Sequence, residues 1–527
     1  MSMTTADPIA LPADTDGRID PRRLIAFLAM CFGMFMSLLD IQVVSASLTE
    51  IQAGLAASRD EISWVQTSYL IAEVVAIPLS GFLSRALGTR IMFAASAAGF
   101  TIASLMCGFT SSMNEMIFWR AIQGFIGGGM IPTVFASIYT IFPRSKQAIF
   151  LPVIGLVATL APTIGPTVGG YLTDALSWHW LFFINIVPGI AVTAATFVLI
   201  DFDRPDSSLF KHFDWWGLGF MAVFLGSLEY VLEEGPRYDW FDDQTIAFLA
   251  VAAAVAAAAF FARVLTARDP IVDLKAYADR NFALGSLFSF VLGIGLYGLT
   301  YLFPVYLEEV RGYNALMVGE TMFVSGAAMF LSAPVVGKLV TKVDPRLLMM
   351  AGFFIFAAGS WQMTYVTRDW DFAQLLWPQI FRGVGLMMAI VPITNLALGT
   401  LAPQRLKNAS GLFNLARNLG GAVGLAALNT VLNHRIDLHL ARLHEAVGSG
   451  RQPALEMLAR LTARFQDFGS NAQAMALRQL MGLARQQGTV MAFGDVFLMF
   501  AVLFVAFGAL AVVMRRPATA PGAPAGH

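Results

Sequence analysis

Apolar runs of about twenty residues follow one another along almost the whole chain, with short polar stretches between them. A helix rises ~1.5 Å per residue, so each run is long enough to cross a bilayer core of ~30 Å. The pattern predicts spanning helices at roughly 24–48, 62–84, 91–109, 114–137, 148–171, 180–200, 215–234, 245–264, 282–303, 315–337, 347–366, 373–400, 408–433 and 492–514. An even count places both termini on the same side of the membrane.

Composition agrees with the pattern. Of 527 residues, 57% are hydrophobic and 13% charged, against ~25% charged in ordinary soluble domains. The expected class is therefore an all-α polytopic membrane protein. A net charge of -1 and the lack of a basic tract argue against nucleic acid as a partner. Cys31 and Cys107 fall inside apolar spans and read as small buried hydrophobes. The polar opening "MSMTTADPIALPADTDGRIDPRR" lacks a signal peptide's apolar core, so insertion is expected to begin with the first span.

Basic residues choose the side. With a cytoplasmic N-terminus, inside segments hold 20 of the 34 Lys and Arg residues, whereas the short outside loops hold only Arg59, Arg237, Arg311 and Arg368. The long outer loop at 434–491 holds seven more, and long loops count little in this rule. Both termini are expected inside. The remaining three, Arg120, Arg382 and Arg417, sit within spans.

Two passages echo each other. In "GMIPTVFASIYTIFPRSKQA" and "AIVPITNLALGTLAPQRLKNA", Pro132 matches Pro392, Thr140 matches Thr400 and Pro143 matches Pro403, each 260 residues on. A second pair, "GFLSRALGTR" and "GKLVTKVDPR", repeats at an offset of 256. Six helices fill about 180 residues here, so the surplus fits an inserted helix pair. The expected plan is a disordered N-terminus at 1–20, a six-helix bundle at 21–201, two inserted helices with linkers at 202–270, a second bundle at 271–516 containing the loop 434–491, and a disordered tail at 517–527.

The stretch "LAPTIGPTVGGYL" puts two prolines and three glycines inside an uncharged span. Gly165 and Gly169 are four apart and share a helix face, which permits close approach of a neighbouring backbone. Pro162 and Pro166 remove helical hydrogen bonds and set a bend. Ordinary small-residue packing is the plainer alternative.

Together with three further motifs, this stretch resembles the major facilitator superfamily, in its fourteen-helix drug:proton antiporter branch (EmrB/QacA-type multidrug efflux). "LLDIQVVSASLTEI" matches the first-helix motif with its acid at Asp40, and "RAIQGFIGGGMIP" the fourth-helix motif with Arg120, Gln123 and Gly124. "APTIGPTVGG", carrying Pro162, Gly165, Pro166, Gly169 and Gly170, matches the fifth-helix antiporter motif, and "WHWLFFINIVPG" is typical of the branch. The resemblance covers essentially the full chain. It implies the major facilitator fold, with two six-helix bundles plus two inserted central helices (fourteen transmembrane helices). It also implies location in a bacterial inner membrane, and the fifth helix lying along the contact between bundles. In the gating loop after the second helix, Gly81, Gly88 and Arg90 fit the family, but Arg85 stands where an acid is usual. The usual charge lock of that loop is therefore not expected.

Ionisable residues at membrane depth are costly, about 2.5–3.5 kcal/mol or more each, and normally face a cavity or a partner. Asp40 and Arg120 lie at matched depth, ~10–12 Å below the outer surface at ~1.5 Å per residue, so they can pair. A permanent structural pair and a proton-switching pair are both open. Glu73 sits near the middle of its span with no sequence neighbour to neutralise it, a candidate proton carrier or a paired structural acid. Glu229 is a further coupling candidate, although Glu233 and Glu234 beside it suggest a helix approaching water. Arg382 and Arg417 are expected to bind an anionic or polar substrate group or to pair with acids across the cavity, with Gln123, Asn395 and Asn414 as added polar contacts.

No Walker-type loop occurs, and the six histidines form no metal cluster, so neither ATP, a cofactor nor a metal is expected. An ion gradient remains. One charge crossing ~150 mV releases ~3.5 kcal/mol, enough for a concentration ratio of about 300. The leading expectation is proton-coupled export of amphipathic toxic compounds by alternating access. The runner-up is a metabolite or vitamin transporter on the same scaffold, including an importer. No nucleophile–base constellation supports an enzyme. In the loop 434–491, "RIDLHLARLHEAV" and "PALEMLARLTARF" have one apolar helical face each. The resemblance implies docking there of a periplasmic membrane-fusion adaptor, itself joined to an outer-membrane channel; packing over the bundle rim is the alternative.

Overall fold

The computed structural model describes residues 20–515 apart from Ala46, Arg59, Asp60, Arg204, Asn314, Pro403, Gln404 and Gly450. The expected disordered ends, 1–20 and 517–527, lie outside the described residues except for Asp20. Among the described residues there is no strand, and fourteen long helical rods account for most of the chain.

The first six are α1 (Pro21–Ser45), α2 (Trp64–Ala86), α3 (Gly88–Gly108), α4 (Met113–Ile141), α5 (Arg144–Ala175) and α6 (Trp180–Leu199). The insert is α7 (Trp215–Glu234) and α8 (Gln244–Thr266). The last six are α9 (Arg280–Glu309), α10 (Ala315–Lys342), α11 (Pro345–Met363), α12 (Phe372–Leu398), α13 (Leu406–Gly448) and α14 (Ala472–Leu510). Among the described residues, eleven of the fourteen are long and apolar enough to cross a membrane by length and composition; α5, α11 and α13 are the others. Large apolar side chains such as Val187, Phe248, Leu265 and Leu331 stand exposed on the outside. That is a surface suited to lipid rather than water.

The two halves repeat one packing scheme. In the first, α1 packs on α5, α2 on α4, and α3 on α4 and α6; in the second, α9 packs on α13, α10 on α12, and α11 on α12 and α14. The halves meet along two seams, α5 against α10 and α2 against α13. Exchanging the halves turns one seam into the other, so the molecule has the symmetry of a duplicated transporter. Helices α7 and α8 pack on each other, and α7 leans on α2 and α13 beside the second seam. Asp214 joins that hairpin, capping α7 through the Gly217 N–H at 3.0 Å and pairing with Arg263 of α8 at 2.9 Å.

The region 434–491 is more regular than its polar composition suggests. The helix of α13 continues fifteen residues past the expected end of its span, to Gly448, and α14 begins twenty residues before its own, at Ala472. Falling hydropathy marks where lipid ends; helical hydrogen bonding continues as long as the residues are good helix formers. A short helix, Gln452–Arg464, folds back on the extension of α14 around Leu461, Ala476 and Leu480. His439 and Arg435 of α13 reach Asp495 of α14 at 2.8 and 3.6 Å, tying the pair at its base.

Candidate transport site

A cavity of about 400 Å³ lies between the halves. Its walls come from α1 (Ile41, Gln42, Ser45), α2 (Gln66, Leu70, Glu73, Val74), α5 (Pro166), α7 (Glu229, Glu233), α9 (Tyr297, Thr300, Tyr301, Glu308) and α13 (Asn418, Leu425). The lining runs from mid-depth at Glu73 and Tyr297 to the far face, opposite Asp20 and Arg515, where α1 and α9 end and α2 begins.

Glu73 is placed by close packing of α2 on α4. A side chain at Gly124 would strike the Tyr69 carbonyl, and one at Gly128 would come within 2.8 Å of the Glu73 carbonyl. Glycines four apart on α4 thus let α2 approach at the turn that carries the acid. Glu73 is 3% exposed, and its Oε1 has no hydrogen-bond partner. Its carboxylate makes no ion pair among the described residues; Arg120 and Arg417 act on it only at longer range. Glu229 is also buried on the cavity wall.

Asp40 does not line the cavity. It lies inside the first half, 1% exposed, with every contact satisfied. Arg120 Nη1 donates to Asp40 Oδ2 at 2.6 Å, while Gln123 Nε2 and Asn185 Nδ2 donate to Oδ1 at 3.1 and 2.8 Å. Arg120 also donates from Nε to the Val65 carbonyl at 3.0 Å, and its guanidinium lies over the Tyr69 ring at 4.3 Å. Arg120 Nη2 has no hydrogen-bond partner, and breaking the pair is costly because it would leave one charge buried and unpaired. Gln123 belongs to this network and not to the cavity.

Arg382 and Arg417 make no ion pair with an acid among the described residues. Arg382 donates to Gln379 Oε1 at 3.3 Å and to Thr300 Oγ1 at 3.0 Å. Arg417 donates to Asn414 Oδ1 at 2.6 Å and lies over the Phe135 ring at 5.1 Å, bordering a minute second pocket walled by α9, α12 and α13 of the second half. Asn414 and Asn395 line neither Glu73 nor the cavity; the Asn395 carbonyl accepts the Gly399 N–H near the end of α12. The structure adds Glu233, Glu308, Tyr297, Tyr301 and Asn185, none of them candidates from sequence. Alternating polar positions on α9 were the available signal for the first wall; nothing local marked Asn185.

A sequence profile of the Major Facilitator Superfamily matches residues 30–425. The Colistin resistance protein EmrB of Acinetobacter baumannii is 41% identical over 490 residues, covering 93% of this chain and 96% of that protein. The Multidrug export protein EmrB of Escherichia coli is 31% identical over 504 residues, covering 95% and 96%. This chain belongs to the Major Facilitator Superfamily, among its EmrB-type multidrug exporters. The fold is shared with the human organic anion transporter MFSD10 (TETRAN), at a TM-score of 0.58 and 12% identity over 92% of this chain and 100% of that one.

In this major facilitator chain the fifth-helix motif lies where two halves and α1 meet. A side chain at Gly165 would strike Gln42, and one at Gly169 would come within 2.8 Å of the Val43 carbonyl, so α5 and α1 touch backbone to side chain. Pro166 faces the cavity, Gly170 is half-buried, and the side chain of Pro162 lies outside the described residues. On its other side α5 packs on α10.

The gating loop has a lock of its own. Arg85 donates from Nε only to the Gly81 carbonyl at 3.4 Å, and the carboxylate comes from Asp203, beyond α6. Asp203 accepts the Thr89 N–H at 2.8 Å and the Thr89 hydroxyl at 2.6 Å, and pairs with Lys407 at the start of α13. Lys407 also donates to the Ser84 carbonyl at 2.9 Å. A side chain at Gly81 would come within 2.9 Å of Lys407 and Asn408 backbone atoms, Gly88 takes the left-handed φ of +78°, and Arg90 stacks on Phe197 at 4.5 Å. The α2–α13 seam is thus clamped at the terminal face while the cavity extends toward the far face.

Proposed function

We propose that the chain exports amphipathic toxic compounds in exchange for protons by alternating access, from a bacterial inner membrane with both termini in the cytoplasm. Its observation is Glu73, a carboxyl at mid-depth in the cavity wall that no donor holds. Such a group is open to whatever fills the cavity, whereas both oxygens of Asp40 accept hydrogen bonds away from it. With the Asp203–Lys407 clamp closed, Glu73 faces the far side. Opening that clamp and closing the far mouth would turn the same carboxyl toward the terminal side, so proton and substrate alternate on one wall. The basic residues of the terminal face, among them Arg22, Arg23, Lys338 and Lys342, support the cytoplasmic orientation.

The printed names of the relatives, a multidrug export and a colistin resistance protein, favour export over import of a metabolite. The helical extension of α13 and α14 past the far mouth offers a mount for a periplasmic membrane-fusion adaptor leading to an outer-membrane channel. In everted vesicles, adding substrate should release protons with wild type and not with Glu73→Gln. Equal proton movement in the two would refute the coupling. Deleting 440–485 should abolish adaptor co-purification; unchanged recovery would remove the mount from the account.

A further inference from the structure

The ionisable side chains of the cavity are all acidic. Glu73, Glu229, Glu233 and Glu308 line it, and no Lys, Arg or His does so among the described residues. The arginines nearby stand behind the lining: Arg120 pairs with Asp40, Arg417 donates to Asn414 and lies over the Phe135 ring with its Nε unpartnered, and Arg382 donates to Gln379 and Thr300. Where these four carboxyl groups around about 400 Å³ are ionised they repel an anion and attract a cation, and a cation in the cavity in turn favours their ionised form.

Half of that acid comes from the inserted hairpin. Glu229 and Glu233 are four apart on α7, on one helix face. That helix is otherwise mostly turned to lipid: 28% of its apolar window is buried. The cavity-facing stripe is the exception, and it carries both acids. Opposite stand Tyr297 and Tyr301, again four apart, on α9. Tyrosine faces attract cations within ~6 Å of the ring. Deeper in, the unpartnered Oε1 of the almost fully buried Glu73 lines the same space. Leu70, Val74 and Leu425 supply apolar wall.

We propose that the inserted helix α7 is the charge selector of the transporter: Glu229 and Glu233, facing Tyr297 and Tyr301, form a subsite for organic cations with an apolar body. The proposal rests on the cavity being the export site and adds the substrate's sign and the residues that read it. Without α7 the same cavity would keep Glu73 and Glu308 but lose the paired acids that face the tyrosines.

The test uses two probes of nearly equal size and shape, tetraphenylphosphonium and tetraphenylborate, and the full-length purified protein in nanodiscs. Calorimetric titration of wild type should give phosphonium binding at least tenfold tighter than borate binding. The double variant Glu229→Gln/Glu233→Gln should weaken phosphonium at least tenfold and leave borate unchanged or tighter. Borate binding as well as phosphonium in wild type overturns the proposal. So does a double variant of unchanged phosphonium affinity. Should the double variant fail to fold, Tyr301→Leu decides in its place: unchanged phosphonium affinity overturns the facing subsite, and a loss specific to phosphonium supports it. Efflux from cells separates the two readings. Phosphonium bound but not exported refutes export and leaves the selector standing; neutral compounds exported with no phosphonium binding does the reverse.

Discussion

Arg120 in α4 and Arg382 in α12 stand 262 residues apart at matching places in the two halves, and each reaches the first helix of its own half. Arg120 meets Asp40; Arg382 meets Thr300, which is 260 residues beyond Asp40. The residue facing the arginine differs between the two slots, carboxylate in one and hydroxyl in the other. With the carboxylate, the first half closes over its arginine, and both partners are sealed from the cavity. With the hydroxyl, the second half leaves its arginine among neutral partners and its threonine on the cavity wall. The two slots thus differ in access: the first is shut off, and the second reaches the cavity through Thr300, while both halves line the cavity itself. Glu73 and the pair on α7, the acids proposed above for coupling and for selection, lie outside both slots.

The largest test of this contrast is to empty each slot. Asp40→Ala strands a fully buried guanidinium, and about 3–5 kcal/mol of stability should go with it. Thr300→Val removes one hydrogen bond to Arg382, which keeps Gln379, and about 1–2 kcal/mol should be lost. Thermal unfolding in detergent measures both; equal losses would make the slots equivalent and the contrast empty.

A smaller effect is expected at the clamp that joins the halves. Lys407→Met should shift the balance of states by about 1–2 kcal/mol, a factor of roughly 5–30 toward opening at the terminal face. A cysteine placed at Ser410, which now donates to the Pro132 carbonyl at 2.7 Å behind the clamp, reads it out. Its labelling by a membrane-impermeant maleimide added at the terminal face should rise. Unchanged labelling would mean that the clamp does not hold the seam.

The smallest effect lies at the far-face ends of α4 and α12. Ser112 caps α4 through the Glu115 N–H at 3.4 Å, and Asp371, 259 residues on, caps α12 in a reciprocal box with Gln374. The Tyr313 hydroxyl and the Phe372 N–H hold the Asp371 carboxyl below the usual carboxylate range, with Arg311 adding to them. A lowered native value contributes stability above the unfolded value of ~3.9 and loses it as pH falls through the native one. Asp371→Asn should therefore lower the melting temperature slightly at neutral pH and not at all once the medium is acid enough to protonate Asp371. The small loss in Ser112→Ala should not depend on pH in that range. Parallel pH profiles would show that the caps do not differ in kind.

Much of this could be read from sequence because membranes make few demands and state them plainly. Apolar runs located the helices, and counting 1.5 Å steps from the ends of α1 and α4 put Asp40 beside Arg120. The glycines of α5 announced a close approach, although not that Gln42 and Val43 would be its targets. What escaped has a common cause. The clamp joins Asp203 to Lys407, 204 residues on, and only the fold brings them together. Thr300 carries no charge to signal its place opposite Arg382. Glu233 and Glu234 looked like a helix approaching water; Glu233 does meet a polar space, but it is the mouth of the cavity. The long region 434–491 read as a loop because hydropathy reports lipid contact and not helical order.

The central claim is that the unheld carboxyl works and the held one builds. Substrate-dependent proton release, measured per folded molecule in reconstituted vesicles, tests it most directly with two conservative variants. Glu73→Gln should fold in wild-type yield and release no protons. Asp40→Asn should fold in reduced yield, with the surviving molecules releasing protons as wild type does. Normal release from Glu73→Gln, or none from well-folded Asp40→Asn, would contradict the account.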